Sequence, residues 1–157
     1  MPVISGGNIN GAGIVRSQEI TFTETGGALT YTGSVTIPAG STLLEVIVHA
    51  VALWNNAGAC TMIVGDAADD NGILTGIDLK ATDLLAAEGL AASGVAGSAG
   101  GKAGADLANS QWNRRYLATE RVISGIITTA STAGSTGRTR LTVSWSEPGL
   151  VIAATSA

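Results

Sequence analysis

At 157 residues the chain has the size of one domain and can bury an apolar core without disulfide or metal staples. Hydrophobic residues make up 45% of it but charged ones only 13%, about half the usual share, so part of its surface is suited to cover by copies or partners. The net charge of −4, with six Arg and two Lys, excludes a broad basic face for nucleic acid.

Residues 1–14 read as an arm rich in Gly and Asn (Gly6, Gly7, Asn8, Asn10, Gly11), ordered only where something holds it down. A single domain is expected over 15–157. In residues 19–23, Ile20 and Phe22 alternate with Glu19, Thr21 and Thr23, the period of a half-buried strand. After a turn at 25–28, Leu29, Tyr31, Val35 and Ile37 alternate with Thr30, Thr32, Ser34 and Thr36, and Pro38-Ala39-Gly40 ends the run.

Residues 43–54 differ. Leu44, Val46, Val48, Ala50 and Trp54 are expected on one face, and Ile47, Val51 and Leu53 on the other with Glu45 and His49. A strand apolar on both faces is usually covered twice, here by a neighbouring subunit. Asn55-Asn56-Ala57-Gly58 is read as a hairpin turn into a strand at 59–64.

An acidic loop follows at 65–72, then a short piece at 73–80 and one short helix at 81–88, with Thr82 as N-cap. Residues 89–105, nearly all Gly, Ala and Ser, read as a flexible loop. Strands are expected again at 114–117, 121–129 and 139–145. The sum is an all-β chain: an antiparallel β-sandwich or jelly roll of about eight strands.

Side chains suited to catalysis or metal binding are few in this sequence. His49 is the sole histidine and Cys60 the sole cysteine, so a disulfide and a multi-cysteine zinc site are both excluded within the chain. A nucleophile built on Cys60 with His49 as base needs the two side by side; buried and sheet-face roles are the plainer readings. Gly100-Gly101-Lys102 lacks the hydroxyl of a phosphate-binding loop. Asp66, Asp69, Asp70 and Asn71 are the one candidate set of hard oxygen ligands for calcium, but their spacing departs from an EF-hand. Trp112 beside Arg114 and Arg115 is a candidate interface anchor. No catalytic residue and no cofactor are assigned, and the chain is not expected to be an enzyme. No basic stretch followed by an apolar run opens it, and no apolar run reaches the roughly 18 residues of a membrane span.

The stretch LLEVIVHAVALWNNAGACTMIVGDAADDNGILTGIDLKATDLL at 43–85, with RSQEITFT at 16–23 before it, resembles small virion proteins of tailed phages. The resemblance covers the first half of the chain. It implies a capsid decoration or cement protein, a β-sandwich or jelly roll forming trimers, that is made in the host cytoplasm and binds the major capsid protein on the outside of the head. On that reading Ile47, His49, Val51 and Leu53 meet a sibling subunit, while the N-terminal segment or an Arg138/Arg140 face meets the shell. The alternative is a receptor- or carbohydrate-binding module of a phage tail or fibre, with an exposed aromatic platform around Trp112.

Overall fold

The computed structural model describes residues 13–82, 90–91, 102–103 and 116–147. Within them run seven strands of five or more residues: β1 (Val15–Thr23), β2 (Thr30–Ile37), β3 (Thr42–Ala52), β4 (Cys60–Gly65), β5 (Leu74–Asp78), β8 (Arg121–Thr129) and β9 (Arg138–Ser146). Two more, β6 (Leu90–Ala91) and β7 (Lys102–Ala103), are two residues each and lie within the stretch expected to be only loop. A first sheet has the order β1-β9-β3-β6 and a second the order β2-β8-β4-β5-β7. Every pairing is antiparallel. The expected all-β sandwich is the fold. The helix expected at 81–88 lies, from residue 83 onward, outside the described residues, as does the arm up to residue 12.

Two-residue alternation builds the core. On β9, Thr139, Leu141, Val143 and Trp145 point inward, and on β8, Ile123 and Ile127 do so with Gly125 between them. Val35 and Ile37 of β2, Val46 and Val48 of β3, and Met62 and Val64 of β4 are wholly buried between the sheets. Removing such apolar side chains from water is the main force that holds two sheets face to face.

Two expectations about β3 need correction. Register shifts fall between Leu43 and Glu45 and between Ala50 and Ala52, so Leu44 and Val51 are the extra residues of two bulges. The core side of β3 is therefore Leu43, Val46, Val48 and Ala50, with Leu44 only half-buried. Nor is 55–58 a hairpin turn. β3 already has β9 along one edge and β6 along the other, leaving no edge for β4, so residues 53–59 arch across to the second sheet.

That arch is pinned by an unexpected group. Glu24, just past β1, is 2% exposed. Its Oε2 accepts from the backbone N–H of Asn55 (3.1 Å) and Gly137 (2.8 Å), and its Oε1 from that of Asn56 (3.2 Å). Asn55 Oδ1 in turn accepts from Ser135 N–H at 2.9 Å, and Lys80 Nζ donates to the Asn56 carbonyl. Beneath the arch, Trp54 donates from Nε1 to Thr139 Oγ1 (2.8 Å) and meets Tyr31 edge-on at 5.0 Å. Gly134 and Gly137 lack a Cβ where one would overlap the Glu24 carboxylate and the Trp54 ring, respectively. One carboxylate thus ties together the β1, β3–β4 and β8–β9 connections.

Candidate functional site

With the inner faces committed to the core, the outer face of the first sheet carries the residues of interest. The strand register sets them in four rows across β1, β9 and β3: Ser17, Ser144 and Glu45; Glu19, Thr142 and Ile47; Thr21, Arg140 and His49; Thr23, Arg138 and Ala52. Val51, extruded by its bulge, is 49% exposed beside the last row. Arg140 Nε lies 3.6 Å from Glu19 Oε1. Thr142 Oγ1 donates to the same Glu19 oxygen at 3.4 Å, and Ser144 Oγ to Ser17 Oγ at 3.2 Å.

The structure therefore brings Ile47, His49, Val51, Arg138 and Arg140 together. The sibling-facing surface and the arginine surface, read from sequence as two separate contacts, are one face, because β9 pairs directly with β3. Leu53 does not belong to it. The bulge at Val51 changes the phase of the strand and turns Leu53 against the core. Glu19 and Glu45 do belong and were not singled out. Their outward direction was legible in the alternation, but which strand lay beside them was not. Trp112, Arg114 and Arg115 lie outside the described residues.

The outer face of the second sheet contrasts with this one. Thr30, Thr32, Ser34 and Thr36 of β2 lie across from Thr128, Ile126, Ser124 and Val122 of β8, without a charged side chain among them.

The other candidates separate. Asp66 is tied down: its Oδ1 accepts from the N–H groups of Ala68 (2.8 Å) and Asp69 (3.0 Å), and Arg121 pairs with Oδ2. Burial pushes the Asp66 carboxyl up, but those amides and the Arg121 guanidinium outweigh it and hold it below its ordinary value. Asp69 accepts from Asn71 N–H at 3.3 Å. Among the described residues no group of three or more His, Cys, Asp or Glu is placed to hold a metal ion, and the Asp66 and Asp69 carboxylates accept from the loop's own backbone N–H groups. An open cavity of about 560 Å³ lies beside it, lined by Asp66, Tyr116, Leu117, Glu120 and Arg121 among others.

Cys60 and His49 are on opposite sides of the molecule's layers. Cys60 sits at 1% exposure in the core on the second sheet, where burial above all, with the nearby Glu24 charge, pushes its thiol up to about 12. His49 is on the outer face of the first sheet. The pair cannot exchange a proton. Of the described aromatics, Phe22, Trp54 and Trp145 are buried and Tyr31 packs on Trp54, which leaves Tyr116, at 64% exposure, as the one large exposed ring among them. No stacking platform for a sugar forms within the described residues. Nor, among them, is any helix long and apolar enough to cross a membrane.

No model of a known protein family matches the sequence, and no curated protein matches it. Among solved structures, the chain is similar to one in the cyanophage Pam1 capsid asymmetric unit, at 18% identity and a TM-score of 0.51, covering 94% of this chain and 94% of that one. The likeness is one of fold.

Proposed function

We propose that this chain is a phage virion protein that decorates the outside of the capsid and cements it through contacts with its own copies and with the major capsid protein. The observation that supports the reading most is the architecture shared along nearly the whole length of both chains with a member of a cyanophage capsid unit. Fold alone hosts many functions, so the outer face of the first sheet matters as a second support. It places half-buried Ile47 and exposed Val51 among charged and hydroxyl side chains, and a polar rim around apolar residues is compatible with a contact surface. The work in this reading is mechanical. Each subunit adds binding free energy across a joint in the shell, which raises the force needed to part it.

The test is to mix purified protein with heads that lack it, pellet the heads, and locate added density by cryo electron microscopy. Saturable binding at regular sites on the outer shell, with heads that release DNA at a higher temperature, is the expected result. Protein that stays in the supernatant, or density only on the tail, would refute the decorating role; tail density would favour the receptor-binding alternative.

A further inference from the structure

We infer that the outer face of the first sheet pairs with the same face of a second copy, stacked face to face with strands antiparallel about a twofold axis. This rests on the charge pattern of the face and not on the capsid reading.

The charges on this face are sorted by sign along the strands. Glu45 and Glu19 occupy the first two rows; Arg140 and Arg138 occupy the last two, with His49 beside Arg140. Rows follow one another at about 7 Å and strands at about 4.8 Å. Stacking two copies with strands parallel would set Arg138 on Arg138 and Arg140 on Arg140, and would place Glu19 of one copy one row from Glu45 of the other, with neither acid facing a base. Turning one copy about an axis that runs across the strands, between the Thr142 and Arg140 rows, inverts the order. Arg138 of each copy then meets Glu45 of the other, and Arg140 comes within reach of the other's Glu19 as well as its own. Ile47 lies over the His49 row of the second copy, near the axis. A single patch that complements itself is what an isologous contact requires.

Two further features fit. Arg140 Nε is shielded from solvent 3.6 Å from Glu19, but the side chain as a whole is 38% exposed, so it is the terminal N–H groups of the guanidinium that can meet a second carboxylate. The outer face of β2 and β8 in the second sheet carries no charged side chain, so no such sorted pattern of acids and bases directs stacking there. Four rows on three strands span about 400 Å² per copy, or on the order of 800 Å² in all, which is the size of a weak contact. The pairing is therefore concentration-dependent and sensitive to salt.

The experiment uses the full chain in sedimentation velocity and equilibrium runs up to millimolar concentration. One variant carries Arg138→Glu with Arg140→Glu, and a second carries Glu19→Arg with Glu45→Arg. Each variant also replaces the exposed Glu19–Arg140 pair within a chain by like charges, so circular dichroism melts should fall by only a few degrees and show each variant folded at the temperature of the runs. The parent should approach the mass of two chains and fall back toward one as salt rises. Each variant alone should associate at least about tenfold more weakly, and an equimolar mixture of the two should pair again. A parent that stays monomeric, association strengthened by salt, variants that self-associate like the parent, or a mixture that does not pair would each overturn the inference. So would a three-chain mass indifferent to all four substitutions, since a trimer joins two different patches.

Discussion

Replacing Glu24 by Gln tests the claim that one buried carboxylate fastens three connections. The substitution keeps size and shape. Oε2 accepts two backbone N–H groups, from Asn55 and Gly137, and Oε1 accepts one, from Asn56. An amide oriented to keep its oxygen at the two-donor position must present N–H to the Asn56 N–H. One donor is then left unsatisfied in a region 2% exposed, at about 1–3 kcal/mol, and the two surviving bonds lose their ionic assistance, at roughly 0.5–1 kcal/mol each. Relief of the carboxylate's desolvation offsets part of this. The expected net loss is about 2–3 kcal/mol, or a fall in Tm of roughly 5–10 °C for a chain of this size. Urea unfolding followed by Trp fluorescence is the assay, since Trp54 lies under the same arch. A variant within about 0.5 kcal/mol of the parent would mean that the three amides find water instead, and the fastening role would be refuted.

Gly137→Ala should cost about 1–3 kcal/mol in the same assay, because the new methyl overlaps the Trp54 ring. Cys60 should resist thiol reagents at pH 8 in native buffer and react fully in denaturant, as its burial and raised pKa require. Because that pKa is higher folded than unfolded, its stabilisation is whole below pH 9 and is lost as pH rises toward about 12; Cys60→Ala should flatten that alkaline arm of a stability–pH curve. Asp66 runs the other way. Its folded pKa lies below its unfolded one, so its contribution is present above the ordinary carboxylate value and lost as pH falls through the lower folded value. Asp66→Asn should therefore destabilise at neutral pH and make progressively less difference in strong acid, read by melting temperature across a pH series.

What was legible in the sequence is what side-chain period alone controls. The Thr/apolar alternations at 30–37 and 139–145 mark strands because a wet face and a dry face must alternate every two residues, and both strands are there. What was not legible depends on partners distant in the chain. The bulges in β3 are local slips against β9, some ninety residues away, and an unbroken apolar run such as 43–54 carries no mark of them. The arch at 53–59 has the composition of a hairpin turn, since Asn and Gly suit either; only the occupied edges of β3 decide against it. Glu24 looks like an ordinary acidic residue at a strand end. Its role appears only when 55–56 and 137 are brought round it.

Sequence could say that Ile47 and His49 point away from the core, and that Arg138 and Arg140 point outward on their own strand. It could not say that these outward directions coincide. Once β9 lies between β1 and β3, Arg140 is a direct neighbour of His49 and within ion-pair distance of Glu19, and a surface poor in charge overall holds two acids and two bases within four rows. That removes a freedom the sequence left open. On the decorating reading proposed above, a face occupied by a second copy is not available to the shell, so in a paired particle the proposed capsid contact would fall on another surface. The Thr/Ser-rich outer face of β2 and β8 and the end of the sandwich around Tyr116 and Glu120 are two described surfaces that could serve. If Arg138→Glu with Arg140→Glu abolishes pairing in solution yet leaves saturable binding to heads intact, the two contacts are separate. Loss of both together would show that the arginine face serves the shell directly, and that pairing in solution competes with docking.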